Sequence, residues 1–193
     1  MHIKKEMVDF VIRLLKNKIP ETYYYHNVEH TLYVMNNVQV IGRAEKCTHR
    51  EIMLLKTAAL WHDTGYINIY KGHEEESCKL SRNYLPGYGY RDSEIDLICG
   101  MIMATKIPNN PQNKLEEIIV DADLAYLGTN MAATLANNLF RELKILNPGL
   151  TKENWNKTEI DFLQSHRYYT NYCIKHRLPN KMAYLDSLIN ADK

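Results

Sequence analysis

The sequence predicts an all-α protein built as one domain. Three observations carry this: apolar residues recur at helical spacing in segment after segment, no alternating strand pattern of useful length occurs, and the chain runs through 193 residues without repeats or low-complexity tracts. A chain of that length buries a core without disulfide or metal staples.

The first helix is expected from about Lys4 to Lys16, where Met7, Phe10, Val11, Leu14 and Leu15 share a face, and Pro20 ends the segment. It reads as a core-facing lid. After Tyr23-Tyr24-Tyr25, a second helix is expected from about Val28 to Lys46, with Leu32, Met35, Val38 and Ile41 as its apolar stripe. Thr48 followed by Glu51 is a capping-box pattern that opens a third helix, which runs through Ile52, Leu55, Ala59 and Leu60 into Trp61-His62-Asp63 and stops at Gly65. Tyr66 to Gly72 is a loop and a candidate rim of a site. His73-Glu74-Glu75-Glu76 opens the next helix with acids in its first turn, as the helix macrodipole favours, and Pro86-Gly87 breaks it. Further helices are expected over about Asp92 to Thr105, Lys114 to Leu127, Asn130 to Leu146 and Thr151 to Tyr172, with a short one after Pro179.

Composition excludes several function classes. Lys and Arg total 24 against 23 for Asp and Glu, so there is no global electrostatic case for nucleic acid or an anionic membrane. No apolar run is long enough to span a bilayer, and Met1 to Glu6 lead into an amphipathic pattern rather than a signal peptide. Cys47, Cys78, Cys99 and Cys173 form no C-x-x-C pair and read as free thiols of a reduced, cytoplasmic protein. The 14 tyrosines against 3 phenylalanines suit amphipathic aromatic surfaces, at a pocket, at a homo-oligomer contact or at the edge of the core.

The chemistry gathers at His62-Asp63, ionisable groups carried inward by a buried helix and therefore in need of partners or a metal. Upstream, His26 and His30 are four apart and share a helix face if the helix extends that far back. Downstream, Asp121 and Asp123 are embedded in the apolar run Ile118 to Leu124. Two imidazoles and two carboxylates drawn from successive helices make a mixed N/O set that suits Mn, Fe, Co, Ni or Zn, with Mg also possible. Adjacent residues on a helix project about 100° apart, so His62 and Asp63 can ligate one ion only at a helix end, which Gly65 supplies.

With His30, His62-Asp63 and Ala122-Asp123-Leu124 in this order, the chain resembles the HD superfamily of metal-dependent phosphohydrolases from about Tyr25 to Gly128. Phe162 to Tyr168 is similar to the C-terminal part of a bacterial subgroup known only as predicted phosphohydrolases. The resemblance implies a single-domain helical HD-type bundle over 1–193, with the helices of about 130–191 packed on the motif-bearing core. It implies His30, His62, Asp63 and Asp123 as ligands of one divalent metal ion, with Asp121 set aside because the family's aspartate follows the alanine. It also implies a small phosphorylated substrate, a nucleotide or another phosphate ester, hydrolysed by metal-activated water.

By the same resemblance, His26 stands where phosphodiesterase relatives place the group that protonates the leaving oxygen; a plain hydrogen-bonding role at the helix N-terminus is the other reading of it. Relatives with two metals offer further histidines, one of which His73 could supply. Near the other stands Lys106, which cannot ligate while protonated, so one metal is expected and Lys106 is assigned to a substrate phosphate, or else to an ordinary solvated helix end. Among Glu74, Glu75 and Glu76, with Glu74 and Glu75 foremost, one is a candidate for a base or a hydrogen-bond partner of the metal's water, the other reading being ordinary first-turn helix acids. His166, Arg167 and Lys181 form either a phosphate-binding patch or a solvated basic face. From another functional class, a metal- or nucleotide-binding regulatory module with little turnover fits the same residues.

Overall fold

In the computed structural model, which describes residues 3–191, the chain folds into ten α-helices and three short 3-10 turns, with no strand among the described residues. Met1 and His2, where the leader question begins, lie outside the described residues, and no helix is long and apolar enough to cross a membrane. The residues group into two compact units, Met1–Pro20 with His26–Asp123 and Glu21–Tyr25 with Leu124–Lys193.

The first unit holds α1 (Lys5–Lys18), α2 (Val28–Ala44), α3 (His49–Trp61), α4 (His73–Tyr84), α5 (Asp92–Ala104) and α6 (Lys114–Asp123). Its centre is α3, from which Leu55, Ala58, Ala59, Leu60 and Trp61 are wholly buried. Around it pack α2, α5 and α6, with α1 laying Met7, Val11 and Leu15 inward. Side chains such as Leu55, Leu60, Ile98, Ile102 and Ile118 are fully enclosed, each contributing roughly 1.5–3 kcal/mol of apolar transfer. The expected capping box is present: Thr48 Oγ1 accepts from the Glu51 amide at 3.2 Å and Glu51 Oε2 accepts from the Thr48 amide at 2.6 Å.

The second unit holds α7 (Ala132–Leu146), α8 (Lys152–Ser165), α9 (Asn171–His176) and α10 (Leu178–Ala191). The segment expected as one helix to Tyr172 breaks after Ser165. His166 turns extended at φ −66° and ψ 136°, and Thr170 restarts the chain as N-cap of α9 by accepting from the Cys173 amide at 3.2 Å. Periodicity alone carries the pattern through this break because Leu163, Tyr168 and Cys173 are buried on both sides of it. The final helix is also longer than expected and opens at Leu178, with Pro179 in its first turn where a missing amide costs nothing.

Candidate metal centre

Each ligand-type residue sits where a helix of the first unit begins or ends. α2 starts at Val28 because the Asn27 side chain caps it, accepting from the amides of Glu29 and His30 at 2.9 and 3.1 Å. His30 is thereby fixed in the first turn, whereas His26 lies before the cap. The two histidines therefore do not share a helix face, although their ring centroids remain 5.9 Å apart.

α3 stops at Trp61. His62 keeps helical dihedrals and Asp63 leaves them (φ −102°, ψ 5°), which turns two adjacent side chains onto one point. The following turn over Thr64–Ile67 is locked by α4: Ser77 Oγ donates to the His62 carbonyl at 2.6 Å and accepts from the Gly65 amide at 2.8 Å. At Gly65 a Cβ would stand 2.0 Å from the His73 carbonyl oxygen, so only glycine lets α4 start this close. α6 likewise stops at Asp123, before the last of the three 3-10 turns, at Ala125–Gly128.

The result is one cluster. His30 Nε2 lies 3.0 Å from Asp123 Oδ1 and 3.4 Å from Asp63 Oδ2. His62 Nε2 lies 3.2 Å from Asp63 Oδ2 and 3.6 Å from Asp123 Oδ1, and the two Nε2 atoms are 3.3 Å apart. Two imidazoles thus stand between two carboxylates. His30, His62 and Asp63 are buried, at 8, 1 and 3 % exposure, so water compensates little of this charge.

His62 and the two carboxylates of the cluster hold one another in their charged forms. Burial would push the Asp63 carboxyl up, but His62, His30 and His26 around it hold it well below the usual carboxylate range. Asp123 is likewise held down against burial, by the neighbouring imidazoles of His30 and His62. His62 is raised well above its ordinary value despite burial, because both carboxylates favour its charged form.

These residues fit a metal ion. Asp63 Oδ2 is enclosed and makes no hydrogen bond of acceptable geometry, although two imidazole nitrogens stand within 3.4 Å of it. Ligand atoms about 2.1 Å from a shared ion are separated by about 3.0–3.4 Å at right or tetrahedral angles, and the imidazole–carboxylate separations fall close to that span. His62 Nδ1 is 2.8 Å from the Ala59 carbonyl, to which it donates, leaving Nε2 as the nitrogen that faces the cluster. The ligand atoms of His30, His62 and Asp123 all lie within 4.8 Å of one another, a grouping that includes neither Asp63, which meets the two imidazoles, nor the completely buried Asp121.

His73 Nε2 stands 3.5 Å from the other oxygen of Asp63, Oδ1, and its Nδ1 faces the Tyr70 carbonyl at 3.2 Å and Glu74 Oε2 at 3.5 Å. Burial lowers the His73 pKa, against the attraction of Asp63 and Glu74. Tyr66 stacks on His73 with centroids 3.8 Å apart and contacts the His26 ring at 4.4 Å, so the expected rim loop forms an aromatic wall. That role for Tyr66 has no signal in the sequence beyond its place after Gly65. Lys106 and Glu75 form an ion pair with each other, both about half exposed. Glu74, at 7 %, is the buried member of the acidic run, while Glu76 pairs with Lys79 and Asn68.

An all-α domain with an imidazole–carboxylate cluster at converging helix ends defines a class of protein suited to binding a divalent ion. The HD domain family model matches residues 27–125, about half of the chain, and the protein belongs to that family. Among solved structures it is similar to a predicted HD superfamily hydrolase from an uncultured Thermotogales bacterium. The two share 20% identity and a TM-score of 0.55 over 81% of this chain and 88% of the other, a likeness of fold. No curated protein matches.

Proposed function

We propose that this protein is a metal-dependent phosphohydrolase acting on a small phosphate ester, with nucleotides as the leading substrate class, and that His30, His62, Asp63 and Asp123 hold a single divalent ion. The observation that carries the reading is the enclosed Asp63 Oδ2, set between two imidazole nitrogens and lacking a hydrogen bond. When bound, such an ion supplies Lewis-acid polarisation of a phosphoryl oxygen and activates water as the nucleophile.

The chain's own residues supply the rest. His26, half-buried at the edge of the cluster, holds the proton that passes to the leaving oxygen as the P–O bond breaks. Glu74 orients His73 through Nδ1. Lys106 meets the substrate phosphate as a point charge, exchanging its contact with Glu75 for one with the ligand. The reading takes the chain as one HD-type domain that includes the C-terminal helices.

A second reading, a metal- or nucleotide-binding regulatory module with little turnover, draws on the Lys106–Glu75 pair, which already neutralises the cation nearest to this role. Incubating the metal-loaded protein with nucleoside mono-, di- and triphosphates, cyclic nucleotides and pyrophosphate separates the two. Release of product from one of them supports the hydrolase. Saturable binding without product supports the regulator, and neither result across the panel refutes both.

A further inference from the structure

The second unit contains a cavity of about 550 Å³ between α8, α9 and α10, a volume within the range of small-molecule sites. Leu163, Ile174, Leu178, Met182 and Leu185 give it largely apolar walls. Its polar lining is Gln164, His166, Arg167 and Lys181, of which Arg167 is exposed. The sequence leaves Lys181 open to being part of a solvated basic face, yet it is 2 % exposed.

Its surroundings are unusual for a buried ammonium. Nζ donates to the His166 carbonyl at 2.6 Å and lies 3.3 Å from His166 Nδ1, and no carboxylate of the described residues comes within 4.0 Å. Buried charges are ordinarily paired, because the cost of removing them from water otherwise stands uncompensated. An ammonium can only donate, so the facing Nδ1 must accept, and the imidazole proton then sits on Nε2. That Nε2 is enclosed and has no hydrogen-bond partner. Burial, with the Lys181 charge, pushes the His166 imidazole down to about 3, which keeps it in this neutral form. Two polar side chains lining one apolar cavity are therefore both short of an acceptor, and one of them carries an uncompensated positive charge.

We propose that this cavity binds a small amphipathic carboxylate, its anionic head taken by Lys181 with His166 as a second donor and its apolar body lying among Leu163, Leu178 and Leu185. A single carboxylate matches the one buried cation, Lys181, since Arg167 on the same lining is exposed to water, whereas a phosphate dianion would bring a second charge against apolar walls. The proposal is independent of the metal centre and of the hydrolase reading.

Isothermal titration of the full chain with octanoate, octanol and acetate tests it. Octanoate should saturate one site per chain and bind more tightly than either the headless or the tailless probe. Lys181→Met should weaken octanoate at least about tenfold, the loss expected for a charged hydrogen bond, with circular dichroism reporting that the helices remain. Ile174→Trp, at a position 45 % exposed, should obstruct the cavity and weaken octanoate while leaving Lys181 in place. Octanol binding as tightly as octanoate, no saturation by folded protein, or unchanged affinity in either variant overturns the proposal.

Discussion

His73 Nε2 stands 3.5 Å from Asp63 Oδ1, while Asp63 Oδ2 faces His30 and His62 at 3.4 and 3.2 Å. One carboxylate thus touches two imidazole environments, and under the proposed reading its division between them sets whether one ion or two is bound.

Asp63→Ala removes the anion that both environments share. Metal affinity should fall by more than about 100-fold, since even groups behind the ligands contribute 10–100-fold in metal sites. Elemental analysis after dialysis measures this, and the helical circular-dichroism signal should be retained because the core rests on α3 packing rather than on the ion.

Lys106→Ala should leave metal content unchanged and raise the substrate KM about tenfold, through loss of a charge-assisted phosphate contact. Glu75→Gln should act oppositely, releasing Lys106 from its ion pair and lowering KM. Lys106→His offers a second imidazole alongside His73, and a rise from one ion per chain to two is the expected stoichiometry. Two ions bound by the unmodified chain would refute the single-ion assignment.

Gly65→Ala places a methyl group 2.0 Å from the His73 carbonyl oxygen and should cost about 1–3 kcal/mol in chemical denaturation, as overpacking does. It should also displace His73 and Tyr66, which histidine ring resonances report. Gly87→Ala, where a Cβ meets nothing within 4 Å, is the control and should stay near neutral.

His166 sets an acid limb on stability. Its folded value of about 3 lies below the ordinary 6.5, because of burial and of Lys181 facing it from α10, so the unfolded chain takes up the proton first. The contribution is complete above pH 6.5 and is lost as pH falls towards 3, at no more than about 1.4 kcal/mol per pH unit. Denaturant midpoints of His166→Phe should fall less steeply than those of the unmodified chain between pH 6.5 and 4.5.

The sequence by itself determined the all-α class and most helix starts, because these depend on local chemistry: the Thr48–Glu51 box and the break at Pro86 act within a few residues of themselves. It also marked His62-Asp63, His26 and His30, and Asp121 and Asp123 as ionisable groups in or beside apolar helical runs, while the choice of His30 and Asp123 among them came from the resemblance to the HD superfamily. Tertiary structure alone decided what those groups meet. The 3.0 Å approach of His30 to Asp123 depends on how α2 and α6 pack, and the stacking of Tyr66 on His73 depends on the close start of α4 that Gly65 permits. Lys106 could not be matched to Glu75, nor Lys181 distinguished from a solvated lysine, from periodicity. A side chain's charge is written in the sequence, but its exposure and its counter-charge come from residues distant along the chain.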